Sequence, residues 1–220
     1  MRWAALIVLT AGLAGSVLAP STAAGTQRDQ RASVCPPGGR AAVAADAQAE
    51  IYRVRRNQEE VEYRGCVYGH SRSFEVGLRA ECISDGGACG GTSHLTLAGT
   101  LVAREKGIVS PVSGNSWLIE VEDLRTGKVI RQVPTGATYP PNPRVVGDGP
   151  ATAIVLKGDG AVAWIVDTVQ ETDRYQVHAV DSTGSRLLAS GSDIDPSSLA
   201  LAGSTLYWTE GGKSYSTTLN

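Results

Sequence analysis

The chain has 220 residues, with 20 Lys and Arg against 22 Asp and Glu, so it lacks the broad electropositive surface from which nucleic acid would release counterions. Nucleic acid is therefore excluded as an expected partner. Its three histidines, His70, His94 and His178, are not paired at the spacing of a metal-binding helix.

Arg2 is followed by an uncharged stretch from Trp3 to Ala24, apolar from Ala4 to Leu18 and ending in Ser21-Thr22-Ala23-Ala24. This is the pattern of a secretory signal cleaved near Ala23 or Ala24. A membrane span needs about 20 predominantly apolar residues, and Gly12, Gly15 and Ser16 dilute a run already shorter than that. Residues 1–24 are thus read as a signal peptide, with no membrane span after cleavage and a secreted or extracytoplasmic destination. Removing Arg2 leaves 19 basic residues against 22 acidic ones.

Residues 25–40 are polar and contain Pro36-Pro37-Gly38-Gly39, which reads as a flexible leader. Residues 41–220 are expected to form a single domain, large enough to bury about 70% of its unfolded surface. Ala41 to Glu50 is alanine-rich and gives the weakest strand reading, with local helix as its alternative. Beyond it, short apolar runs alternate with Gly, Pro, Asp and Ser, the signature of an all-β domain. Trp117, Ile119 and Val121 fall on one strand face and Glu120 and Glu122 on the other; Tyr175, Val177 and Ala179 alternate in the same way with Gln176 and His178. That alternation places His178 on a polar, solvated face.

Four cysteines in an exported chain suggest two disulfides. Of the three connectivities, the favoured one joins Cys82 to Cys89 across the flexible Asp85-Gly86-Gly87-Ala88 stretch and leaves Cys35 for Cys66. The other two stay open, because sequence does not determine Cα separations.

An internal repeat organises the domain. Leu97-Ala98-Gly99 followed by Val102-Ala103-Arg104 matches Leu156-Lys157-Gly158 followed by Val162-Ala163-Trp164, and again Leu201-Ala202-Gly203 followed by Leu206-Tyr207-Trp208. The first two copies continue alike into Asp123 to Gly127 and Asp181 to Gly184, where Asp and Gly suit a hairpin with one left-handed residue. Each unit is therefore four antiparallel strands, in outline a blade of a β-propeller. A degenerate copy is expected over Val43 to Leu78, and the last copy has three strands. The expected fold is all-β, a small or partial propeller of four-stranded blade-like repeats.

The stretch Leu156-Lys157-Gly158-Asp159-Gly160-Ala161-Val162-Ala163-Trp164 resembles the Asp-Gly strand pair of the WD40-like repeats in TolB-type β-propellers. The Asp181-Ser182-Thr183-Gly184 hairpin stands where those repeats place theirs. The resemblance covers about Leu95 to Leu219; Thr100 and Ser204-Thr205 replace the Asp-Gly pair in the other copies.

Chemistry is sparse. Gly69-His70-Ser71-Arg72-Ser73 lacks the following helix of a nucleophile elbow and reads as a hairpin turn. Asp193 and Asp195 lack the distal glutamate of a calcium loop. Neither a cofactor nor a metal site is expected, and no residue is assigned a catalytic role. Arg104, Trp164 and Trp208 occupy equivalent repeat positions, where tryptophan usually fills an inter-blade core. If those positions face a central channel, the three converge on one ligand pocket. The expected function is a non-catalytic exported binding or scaffold module for a protein or a glycan; the alternative is an exported hydrolase or lyase using channel-facing carboxylates such as Glu120 and Glu122.

Overall fold

The computed structural model describes Cys35 and residues 42–56, 60–79, 81–82, 89–110, 114–136, 149–168 and 173–220, with the backbone alone for 81, 82, 89, 108–110 and 114. The signal, almost all of the leader and the Cys82–Cys89 pairing therefore lie outside the described residues or side chains. Residues 32–220 form one compact unit. Among the described residues there is no helix, and every strand runs antiparallel to its neighbours.

Four sheets follow one another along the chain, each a simple meander. The first contains β1 (Ala42–Ala45), β2 (Ala49–Arg55), β3 (Val61–Val67) and β4 (Ser73–Leu78). The second contains β5 (Glu81–Cys82), β6 (Cys89–Ala98), β7 (Leu101–Ser110), β8 (Gly114–Asp123) and β9 (Lys128–Pro134). The third contains β10 (Ala151–Leu156), β11 (Val162–Asp167), β12 (Tyr175–Asp181) and β13 (Gly184–Gly191). The fourth has only β14 (Ala200–Ala202), β15 (Thr205–Glu210) and β16 (Lys213–Thr218). The all-β class and the blade-like repeats are thus as expected, and the degenerate N-terminal copy is the first sheet. The added strand is the short β5, whose register sets the backbone of Cys82 opposite Cys89.

Turn chemistry explains the strand boundaries. Asp46 accepts bonds from the backbone N–H groups of Gln48 (2.7 Å) and Ala49 (3.1 Å), which closes a turn between β1 and β2 in the segment where local helix was the alternative to strand. Helix propensity is a weak preference, and here Ala44 and Ala49 are used instead to pack strands against the second sheet. The Asp-to-Gly hairpins form as anticipated. Gly127 has φ 66° and donates to the Asp123 carbonyl at 2.8 Å; Gly184 has φ 107°. Tyr68 to Arg72, which includes His70 and Ser71, is the turn between β3 and β4.

The sheets stack face to face, and the core is divided among the spaces between them. Ile51, Val67 and Val76 of the first sheet meet Val102 and Leu124 of the second. Ala103, Ile119 and Val121 of the second meet Ile154, Val162 and Trp164 of the third. Ala163, Ile165 and Val177 of the third meet Leu206, Trp208 and Leu219 of the fourth. On the outward face of the first sheet, Cys35 is bonded to Cys66 and packs with Tyr52. Among the described residues, no buried apolar cluster joins the fourth sheet to the first.

Because the middle sheets are covered on both faces, the expectation of a solvated His178 is overturned. Its exposure is 1%, since the "polar" face of β12 is turned toward the second sheet. Glu120 and Glu122, each 3% exposed, are enclosed on the face of β8 turned toward the first sheet and so do not face an open channel.

The Cys35–Cys66 bond spans 31 residues of sequence and holds Cys35 against the outward face of the first sheet. Replacing both residues by alanine is expected to lower unfolding free energy by about 2–4 kcal/mol. Urea denaturation of the purified oxidised chain, read by tryptophan fluorescence, measures this loss.

Candidate functional site

The strands β2, β7, β11 and β15 each carry one side chain at the repeat position, and in the second, third and fourth sheets it faces the preceding sheet. Arg104, Trp164 and Trp208 lie two residues after Val102, Val162 and Leu206, which fill the spaces between sheets one and two, two and three, and three and four. In the first sheet the equivalent is Tyr52, which faces Cys35. Each has a cross-strand partner on the strand that follows: Arg64 for Tyr52, Glu120 for Arg104, His178 for Trp164 and Tyr215 for Trp208. Arg104, Trp164 and Trp208 are therefore not brought together. They occupy three successive inter-sheet layers, separated by the sheets themselves, and the expected shared pocket does not form from them.

The layers differ chemically. Trp164 donates its indole N–H to the Thr135 carbonyl at 2.7 Å and stacks on His178 with ring centroids 5.4 Å apart. His178 Nε2 lies 3.0 Å from Gln176 Oε1, while Nδ1 has no partner among the described residues. Burial lowers its imidazole to about 4. Trp208 stacks on the half-exposed Tyr215 at 5.9 Å.

Between the first and second sheets the layer is ionic. Arg104 donates from Nε (3.0 Å) and Nη2 (2.7 Å) to Glu120, and from Nη1 to Glu122 (2.8 Å) and to the carbonyl of Val76. Glu120 also accepts from Gln132 Nε2 at 2.7 Å. Burial holds the Glu122 carboxyl above the usual range, with Arg104 pulling it the other way and Glu120 adding to the rise. This is the closest approach of two carboxylates to an acid–base pair, and it is sealed between sheets by a shared guanidinium.

Among the described residues an open concavity lies at the ends of the strands, where the turns of three successive sheets meet. A cleft of about 620 Å³ is lined by Gln48 of the first sheet, Gly99, Thr100, Asp123, Arg125 and Ile130 of the second, and Gly158 and Asp159 of the third. Asp46 fastens two of these turns together by accepting the Gly99 N–H at 2.6 Å. Arg125 folds back on Asp123 (2.9 Å) and keeps that carboxyl below its ordinary range. Lys157 does the same for Asp159 at 2.9 Å. Arg125 also borders a second hollow of about 220 Å³ lined by His70, Ser71, Arg72, Phe74 and Leu124. Two carboxylates, two guanidiniums, an imidazole and a carboxamide thus share one end of the molecule.

These lining residues were not singled out from the sequence as a group. The signal was the repeat itself, because corresponding turns of a repeated meander emerge at the same end. Cys35, Cys66 and Glu50 also lie close enough for a metal, but both sulfurs are consumed in the disulfide and supply no thiolate. Asp193 and Asp195 serve turns: the Asp193 carbonyl accepts from Gly211 N–H at 3.0 Å, and the Asp195 carboxylate from Ser197 N–H at 2.9 Å. No protein-family model, curated protein or solved structure matches the chain.

The ionic layer and the buried imidazole make distinct predictions. Arg104→Met leaves two buried carboxylates unpaired and is expected to cost about 3–5 kcal/mol of stability. Glu122 binds its proton more tightly in the folded state, so its contribution declines as pH rises through the folded pKa. Glu122→Gln is accordingly expected to exceed the native chain in stability at pH 7, with the two converging in acid; urea midpoints across pH measure both. His178 has the opposite sign. Unfolding allows it to protonate below about 6.5, so stability falls as pH drops from there through about 4, by about 3 kcal/mol in total. His178→Phe is expected to remove that part of the slope.

Proposed function

We propose that the chain is an exported, non-catalytic binding module that takes a protein or a glycan on its turn face. The observation that carries this reading is the cleft of about 620 Å³, built from turns of three sheets and lined by groups suited to hydrogen bonding. Rigid sheets presenting short turns are a common way to hold a binding surface. Both carboxylates there are engaged by cations and kept below the ordinary range, which suits ion pairing and hydrogen-bond acceptance better than general acid work.

The Cys35–Cys66 disulfide supports export, since such bonds persist in oxidising compartments, and agrees with a signal over residues 1–24. The stacked four-stranded meanders likewise support a relation to TolB-type propeller repeats, with the Asp159-Gly160 turn contributing to the cleft. The hydrolase or lyase alternative loses its best candidates, because Glu120 and Glu122 are committed to Arg104 and screened from solvent.

A glycan array and a displayed library of extracellular peptides, probed with the native chain and with Arg125→Glu, test the assignment. Loss of a charge-assisted contact of about 1.5–3 kcal/mol is expected to weaken a cleft ligand by at least about tenfold while leaving the melting temperature near that of the native chain. Ligands that bind both proteins equally, or a failure of both libraries to yield any ligand, count against the turn face.

A further inference from the structure

Among the described residues the fourth sheet has three strands where the third has four. Its last strand, β16, therefore occupies the third position of the meander but forms a sheet edge, and five of its six residues are exposed. The outermost strands of the other three sheets all carry a register shift: β4 between Glu75 and Gly77, β9 between Val129 and Arg131, and β13 between Leu187 and Ala189. A bulge of this kind, like edge charge or proline, discourages a sheet edge from pairing with another chain. β9 adds Lys128, Arg131 and Pro134, and β13 adds Arg186. β16 has none of these devices along its length. Its pairing with β15 is continuous from Thr205 opposite Thr218 to Glu210 opposite Lys213, and its one charged residue is Lys213 at the turn.

We infer that β16 pairs antiparallel with β16 of a second copy of this chain, about a two-fold axis passing beside Tyr215. The register follows from the backbone. The Gly211-Gly212 turn has φ 56° and 72°, a primed two-residue hairpin whose closing residues bond each other. Lys213, Tyr215 and Thr217 thus direct their backbone groups to β15, while Ser214, Ser216 and Thr218 direct theirs outward. The Thr218 carbonyl already accepts from Arg186 Nη2 at 3.2 Å, which leaves Ser214 and Ser216. Setting Ser214 opposite Ser216 of the partner subunit, and the reverse, forms four backbone hydrogen bonds.

The side chains agree with that register. Tyr215 meets the partner subunit's Tyr215 in the closely spaced, non-bonded position where cross-strand pairs interact most. Because Tyr215 is stacked on Trp208, the pairing builds one row of four aromatic rings across the joined sheets and covers a tyrosine that is otherwise 42% exposed. Lys213 falls opposite Thr217 of the partner subunit, so no like charges meet. The joined sheet contains six strands, three from each copy.

Light scattering across a concentration series, with two variants, tests the pairing. The native chain is expected to dimerise reversibly. Ser216→Pro removes an outward N–H without disturbing β15, and is expected to be monomeric with an unchanged melt. Tyr215→Cys is expected to form a dimer-sized band on a non-reducing gel. Lys213→Cys is not, because its two copies lie about 14 Å apart along the strands, beyond disulfide reach. A native chain that stays monomeric and a Tyr215→Cys chain that does not cross-link would overturn the inference. So would a dimer that survives Ser216→Pro, or slow amide exchange at Ser214 and Ser216 in a monomer, which would show that another segment of the same chain covers the edge.

Discussion

The requirement that each interior sheet bury both of its faces governs this molecule. A four-stranded meander exposed on one side alternates apolar and polar residues and leaves the polar set in water. Here the second and third sheets are flanked on both sides, so every residue of β11 from Val162 to Val166 is buried. The side chains that alternation assigns to water must instead find partners within the stack. His178 stacks on Trp164, and Glu120 and Glu122 gather round Arg104.

The repeat position is how the sequence meets that requirement. One side chain per sheet stands at the repeat position, in the second to fourth sheets reaching back toward the preceding sheet, with a fixed cross-strand neighbour. The chemistry of the pair changes from layer to layer while its place does not, from Tyr52 with Arg64, through Arg104 with Glu120 and Trp164 with His178, to Trp208 with Tyr215. A buried ionic layer is seldom more stable than an apolar one of equal volume. It does penalise any register of β7 against β8 that separates Arg104 from its two carboxylates, and the bond to the Val76 carbonyl ties that pair to the first sheet. At the ends of the stack the requirement lapses. The first sheet is covered by the disulfide-held Cys35, and the fourth keeps Tyr207 and Tyr215 partly in solvent.

The same stacking separates chemistry from access. Glu120, Glu122, Trp164, His178 and Trp208 are consumed between sheets, whereas the cleft is made by turns. Turn residues are selected for backbone geometry first, with Asp and Gly in the leading roles. Their side chains, Asp123, Arg125 and Asp159, then become available at one end because each meander returns its alternate turns to the same side. A binding surface made in this way changes readily by loop substitution without disturbing the layers beneath.

Much of the architecture was legible in local sequence. Strand alternation, the Leu-Ala-Gly repeat and the Asp-to-Gly hairpins report on neighbours within a few residues, and they specify antiparallel meanders whatever the wider surroundings. They also marked Arg104, Trp164 and Trp208 as equivalent. What local sequence does not carry is which face of a sheet meets another sheet, because a two-residue period distinguishes two faces without saying what covers either. That is why His178 read as solvated and why three equivalent residues suggested one shared pocket. Only the packing of sheet against sheet decided that they stand in three separate layers and that the open cleft belongs to the turns.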